Sequence, residues 1–191
     1  MRRSHDARLL ATVAAALALA GLFAYALYDV ALNRGQLTAS AGAASLIIAS
    51  IPIFTALLAV TFLGERLDAL GWSGIVVGCS GIALITLGEG EGSVSTRGAL
   101  FVLLAALSAS VYFAFQKPYL EKYGSLPFTA YAIWAGALLL LPFLPALIGE
   151  VRSAPARATL AIVYLGIFPT VFAYATAAYV FSRLPASRAV S

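Results

Sequence analysis

The residues of this sequence that could do chemistry are few, and they sit in apolar surroundings. Tyr25, Asp29 and Asn33 follow at i, i+4 and i+8, which puts them on one helical face. Asp29 is the one ionisable side chain within reach of the interior of a long apolar run. A carboxylate at the centre of a bilayer costs about 2.5–3.5 kcal/mol, so by default it marks a cation or proton site facing a cavity. The other reading places Asp29 near the outer water interface, solvated or paired with Arg34, because its run ends within a few residues. Ser108, Tyr112 and Gln116 make a second stripe at the same spacing, and Thr170 and Tyr174 a shorter one. Polar stripes in membrane helices point inward, to a cavity or to a neighbouring helix. Tyrosine suits a cavity wall, offering an apolar face and one hydroxyl. Tyr119, Tyr123 and Trp72 lie at the ends of apolar runs and read as an interfacial belt.

Proline and glycine add shape. Pro52 and Pro169 fall near the middle of their apolar runs. Each lacks an N–H and frees the carbonyl four residues earlier, at Ile48 and Leu165. Such breaks face protein or a water-filled cavity, so each is either a kink lining a substrate path or a packing kink. Pro142 and Pro145 read as structural. Gly71, Gly74, Gly78 and Gly81 mark one face of a run, and the Gly74/Gly78 pair predicts a close helix contact there.

Much is excluded. The sequence holds no nucleophile–base pair, no paired carboxylates and no phosphate loop, so it does not read as an enzyme. One His and one Cys (Cys79) are too few for a zinc or iron–sulfur site, and no cofactor or metal is implied. A net charge of +4, spread along the chain, does not point to nucleic acid. Of the 191 residues, 62% are hydrophobic and 10% charged, against about a quarter charged in soluble domains. A soluble globular enzyme and a disordered chain are both excluded by those figures.

The elements that must carry these residues are membrane helices. Charge-free stretches run over 9–28, 35–64, 69–88, 98–116, 123–149 and 158–182. A helix needs about 20 mostly apolar residues to cross the hydrocarbon core. Six transmembrane helices are therefore expected, at about 9–31, 38–62, 69–88, 97–116, 127–149 and 158–182. Barrel strands would be shorter and would alternate in polarity. A signal peptide ending near Ala20 is the rival reading of the first run, but the run continues to Tyr28. With the N-terminus on one side, that side holds Arg2, Arg3, Arg8, Arg66, Lys117, Lys122, Arg183 and Arg188. The opposite side holds Arg34, Arg97, Arg152 and Arg157. The positive-inside rule puts the N-terminus in the cytoplasm. Glu89 and Glu91, among Gly88, Gly90 and Gly92, form a linker that divides the chain into 1–91 and 92–191. Ala24-Tyr25-Ala26 recurs as Ala173-Tyr174-Ala175, and Arg34 matches Arg183 at the same offset. The two copies run in opposite directions through the membrane, as inverted repeats do.

Two longer motifs carry a resemblance. Ser50-Ile51-Pro52-Ile53-Phe54-Thr55-Ala56-Leu57-Leu58-Ala59, followed by Leu63-Gly64-Glu65-Arg66-Leu67, resembles the fourth helix of EamA-type proteins of the drug/metabolite transporter superfamily. Gly166-Ile167-Phe168-Pro169 with Ala173-Tyr174, then Arg183-Leu184-Pro185-Ala186-Ser187-Arg188-Ala189, resembles the eighth helix and the start of the ninth. The resemblance implies an all-α integral membrane protein, part of a ten-helix fold of two inverted five-helix repeats. The six spans then correspond to helices three to eight, and the chain is expected to be part of a longer transporter. Residues 1–91 would be the remnant of the first repeat and 92–191 an incomplete second. The resemblance implies a cavity lined by Tyr25, Asp29, Ser50, Pro52, Tyr112, Pro169 and Tyr174, with Glu65 and Arg66 structural. The expected function is secondary transport or efflux of a small organic metabolite or drug across the inner (plasma) membrane, by alternating access. The alternatives are a truncated, non-transporting membrane protein or interaction subunit, and a homodimer of six-helix units that rebuilds a cavity.

Overall fold

The computed structural model describes the backbone of residues 2–88 and 95–183, and the side-chain surroundings of most of them from Thr12 to Thr176. The described residues form helices and no strand. α1 (Arg2–Gly21) continues through a π-helical turn (Leu22–Ala26) into α2 (Leu27–Gln36). α3 (Ala41–Ile48) and α4 (Ile51–Leu63) follow, then α5 (Ala69–Gly88) and α6 (Thr96–Phe115). A short α7 (Lys117–Tyr123) leads to α8 (Ser125–Leu139), a 3-10 turn (Leu141–Phe143), α9 (Leu144–Ser153) and α10 (Ala156–Arg183). The expected spans therefore fall on helical backbone, the second and fifth broken into separate helices. Among the described residues three stretches, Thr12–Gln36, Ala41–Leu63 and Thr96–Phe115, are long and apolar enough to cross a membrane. The pair Ser125–Leu139 and Leu141–Ser153, bent by 45°, makes a fourth if taken as one broken span. In α5 and α10 the residues so characterised, Ala69–Gly81 and Ala156–Phe168, form shorter apolar helices. The Glu89–Gly92 linker and residues 184–191, which include the end of the second motif, lie outside the described residues.

Local sequence explains the breaks. The Ser40 side chain accepts the Ala43 amide at 3.1 Å and starts α3. Ser95 caps α6 in the same way through the Gly98 amide. Pro52 sits in the first turn of α4, where a missing N–H costs nothing, and the helix is interrupted just before it at Ala49-Ser50. Pro142 and Pro145 begin the 3-10 turn and α9. The fifth expected span is thus broken at Leu140, where the sequence reading assigned these prolines no more than a structural role. α4 ends at Gly64, whose φ of 66° is left-handed. The Gly64 and Glu65 amides both reach the Ala59 carbonyl.

α6 is the centre of the bundle. Val102, Ala105, Ala106 and Ser110 are fully buried along it, and their small volume lets neighbours approach. α2 and α3 pack on one side, α4 on another, and α8 packs against α1. Two pairs of glycines set the closest crossings. A Cβ added to Gly35 would lie 2.5 Å from Val102 Cγ2 and 3.0 Å from the Gly98 carbonyl. A Cβ added to Gly21 would lie 2.5 Å from the Gly136 amide nitrogen. The glycine face expected to pack, on α5, does something else. A Cβ at Gly74 or Gly81 meets nothing within 4 Å, and at Gly78 only Ile53 at 3.6 Å. The spacing reports that close approach is allowed; it does not supply the partner.

Candidate functional site

Tyr25 and Tyr112 come together. The π-helical turn that holds Tyr25 is flanked by α8 on one side and α6 on the other. Gly136 on α8 lies close enough that a side chain there would strike Tyr25 Cβ at 2.6 Å. Tyr112 on α6 is buried in a cluster with Ala20, Phe128 and Ala132. The two tyrosine rings are 6.3 Å apart and inclined at 59°, a tilted aromatic pair. Phe113 extends the group, its ring 5.5 Å from Tyr112. Tyr119, read from sequence as a belt residue, stacks on Phe128 at 5.6 Å beside the same cluster.

The polar stripe of α6 divides its work. The Ser108 hydroxyl donates to the Phe23 carbonyl at 2.7 Å, within the π-helical turn. It therefore supports the backbone on which Tyr25 is carried. Ser110 donates to its own helix at Ala106 and lies 3.2 Å from the Ile51 carbonyl of α4. Gln116 is buried at the end of α6. Of the interhelical and cavity readings of that stripe, Ser108 follows the first.

Asp29 lies one turn beyond Tyr25 and is half-buried. Asn33 donates its side-chain amide to the Asp29 main-chain carbonyl at 2.8 Å. Among the described residues, Asp29 and Arg34 form no ion pair. Ser50 donates its hydroxyl to the Ile47 carbonyl, bracing the break between α3 and α4. Pro52, next to it, is exposed. Four residues after Ile51, the Thr55 hydroxyl is buried without a hydrogen-bond partner among the described residues. Pro169 and Tyr174 fall within α10, whose backbone contacts α8; their side chains lie outside the described set. The structure thus brings Tyr25 and Tyr112 together, leaves Asp29 four residues along the chain from Tyr25, and places Ser50 and Pro52 at the break between α3 and α4, next to the Ile51 carbonyl that Ser110 of α6 reaches.

Two links tie the ends of the bundle. The Ser95 amide donates to the Thr38 carbonyl at 3.1 Å, and their hydroxyls are 2.9 Å apart. At the opposite end Lys117 Nζ meets Glu65 Oε1 at 3.0 Å, both partly exposed. Sequence reasoning placed Glu65 in a structural role but did not find Lys117 as its partner, since nothing local connects residues fifty-two apart. Ser110 was also missed, standing off the i, i+4 stripe. No group of His, Cys, Asp and Glu able to hold a metal occurs among the described residues.

Residues 2–87 and 96–191 each match the EamA-like transporter family. The chain belongs to that family. Among the relatives of this EamA chain is the uncharacterized transporter YdfC of Bacillus subtilis, 44% identical over 91% of the chain and 57% of the relative. A probable terminal-alkyne amino-acid exporter of Streptantibioticus cattleyicolor is 40% identical over 88% of the chain and 56% of the relative. An uncharacterized transporter of Archaeoglobus fulgidus is 35% identical over 88% and 60%. The chain thus spans somewhat more than half the length of the curated relatives it matches. No solved structure matches it significantly. Family membership and the long apolar helices make this an all-α integral membrane protein of the drug/metabolite transporter type.

Proposed function

We propose that this chain works as a secondary transporter, or within one, moving a small organic metabolite or drug across the cell membrane by alternating access. The observation that carries the reading is the tilted Tyr25–Tyr112 pair, where the π-helical turn meets α6 and α8, with the half-buried Asp29 four residues further along the chain. Aromatic faces and a few polar groups are what a small-molecule site needs. Asp29, Ser50, Pro52, Pro169 and Tyr174 complete the proposed lining. The break at Ala49-Ser50 supports a path there, because irregular backbone at membrane depth is tolerated where it faces protein or a cavity. Two separate family matches are in keeping with two repeats, 1–91 and 92–191. In the proposed orientation the N-terminus and the Glu65–Lys117 link are cytoplasmic, and the Thr38–Ser95 link is outside.

Amino acids are the first substrates to try, since one relative is named an amino-acid exporter. Proteoliposomes holding the chain are loaded with labelled amino acids, and efflux is compared with that of Asp29→Asn and Tyr174→Ala variants. Efflux above empty liposomes, reduced in both variants, is the expected result. Efflux equal to that of empty liposomes across amino acids and a panel of drugs overturns the reading.

A further inference from the structure

We propose that α4 is a gate, hinged at Ala49-Ser50 and latched by the Glu65–Lys117 ion pair, so that breaking the pair opens the seam between α4 and α6 at that end of the bundle. What the gate admits rests on the transporter reading, but the motion can be measured without it. The first ground is how α4 is attached. At its start the helix is interrupted at Ala49-Ser50, and Pro52 has no N–H to give the Ile48 carbonyl, so α3 and α4 are not one rod. α3 itself packs on α2, α5 and α6. At its end Gly64 turns left-handed, and residues 64–68 form no regular element before α5 begins. Asp68 starts α5 independently, its carboxylate accepting the Gly71 amide at 2.8 Å. A helix of 13 residues thus stands between a break and an irregular connection, with no rigid continuation on either side.

The second ground is how the grip of α4 on α6 changes along its length. Near the hinge Ser110 is fully buried, and its hydroxyl lies 3.2 Å from the Ile51 carbonyl. Further along, Ala59 is buried. Beyond Ala59 the contacts pass to side-chain tips. The Phe62 and Phe115 rings are 6.4 Å apart, with Phe62 67% and Phe115 40% exposed. Lys117 Nζ and Glu65 Oε1 meet at 3.0 Å, both partly exposed. Exposed contacts of this kind part at small cost, while buried ones part last. The opposite end of the bundle is shut differently. A Cβ added to Gly98 would lie 3.1 Å from the Gly35 carbonyl, and the Ser95 amide donates to the Thr38 carbonyl. Backbone meets backbone there, so the Glu65–Lys117 end is the one that can part without unfolding. The third ground is where the latch sits. Glu65 lies in one of the two stretches that match the family and Lys117 in the other. The pair therefore joins the two halves, and neutralising either charge releases it.

The test is the rate at which a water-soluble maleimide labels a single cysteine in the purified full chain in mild detergent. Cys79→Ser removes the exposed native thiol. In that background Ala59→Cys places a thiol in the seam, and Ala43→Cys places a buried one on α3, on the far side of the hinge. Glu65→Gln and Lys117→Gln should each speed labelling at Ala59→Cys by about two- to fivefold, the range that a partly exposed ion pair can supply. Labelling at Ala43→Cys should not change. Glu65→Lys should speed labelling in the seam further, and Glu65→Lys combined with Lys117→Glu should restore the slow rate. Raising sodium chloride from about 0.1 M to about 1 M should speed it in the parent and not in Glu65→Gln. The proposal is overturned if labelling at Ala59→Cys stays unchanged in charge variants that melt as the parent does. It is overturned equally if the rate rises as much at Ala43→Cys, which marks general loosening. Proteoliposome flux of the labelled amino acids and drugs separates the two claims: latch-dependent labelling without flux leaves the gate standing and sinks the transporter reading. Flux that persists when Glu65→Cys and Lys117→Cys are joined by a bifunctional maleimide sinks the gate.

Discussion

Replacing Gly21 by alanine puts a methyl group where the backbone of α8 already is. The new Cβ would stand 2.5 Å from the Gly136 nitrogen and 2.8 Å from both the carbonyl carbon and the Cβ of Ala135. None of these is the end of a flexible side chain, so the helices themselves must part. Ordinary contact begins near 3.4 Å, so α1 must withdraw by roughly 0.9 Å, enough to forfeit a quarter to a half of the dispersion energy along the seam. Overpacking of this kind costs about 1–3 kcal/mol. Alanine also gains about 0.5–1 kcal/mol over glycine in helical backbone. Gly74→Ala makes that same gain on α5, where the added methyl meets nothing within 4 Å. The difference between the two variants therefore isolates the clash, at about 1–3 kcal/mol in favour of Gly74→Ala. Thermal unfolding of both in one mild detergent measures it. Equal melting points would refute the argument that the Gly21–Gly136 crossing, and not the glycine face of α5, holds the bundle closed.

Other outcomes follow from the same contacts. Ser108→Ala removes the donor to the Phe23 carbonyl and should cost about 0.6–1 kcal/mol, with faster amide exchange confined to residues 22–27. Unchanged exchange there would show that the π-helical turn does not need it. Glu65→Gln should lose less than about 1 kcal/mol, because the Lys117 pair is partly exposed. A double-mutant cycle with Lys117→Met gives the coupling directly, and a value near 3 kcal/mol would contradict that burial. Gly64→Ala should destabilise by about 1–2 kcal/mol, its left-handed φ of 66° being costly for a residue with a Cβ. Melting temperature in detergent checks this too, and Gly64→Asn should recover part of the loss.

The sequence carries the helices plainly and their partners hardly at all. Long charge-free runs are a direct consequence of the solvent they cross, so the expected spans fall on helical backbone, the second and fifth in pieces. Pro52 reports a break because the missing N–H acts within one turn, and the break lies just before it. The Tyr25–Asp29–Asn33 spacing assumed an unbroken α-helix, and the π-helical turn that holds Tyr25 had no signal in the sequence. What places Tyr112 against Tyr25 is not local. It depends on single glycines on different helices, Gly35 and Gly98, which form no motif in either segment. The motif that does exist, Gly74 with Gly78, faces open space or the tip of Ile53. Spacing records the absence of a side chain; the neighbour that makes use of it is set by the whole packing. The Glu65–Lys117 pair and the Ser110 contact to α4 were hidden in the same way.

The π-helical turn at Leu22–Ala26 also sets an angle. Gly21 and Gly35 are fourteen residues apart, and on an unbroken helix of 3.6 residues per turn they would point within about 40° of each other. Yet Gly21 addresses α8 and Gly35 addresses α6. The extra residue absorbed in the widened turn shifts everything beyond it by one step, about 100°, so the two glycines diverge by roughly 140°. One rod thereby keeps two appointments, and the azimuth of Asp29 is fixed by the same offset. Deleting one residue between Leu22 and Ala26 would change no side chain downstream and still turn the whole of α2, its acid included, toward a different neighbour.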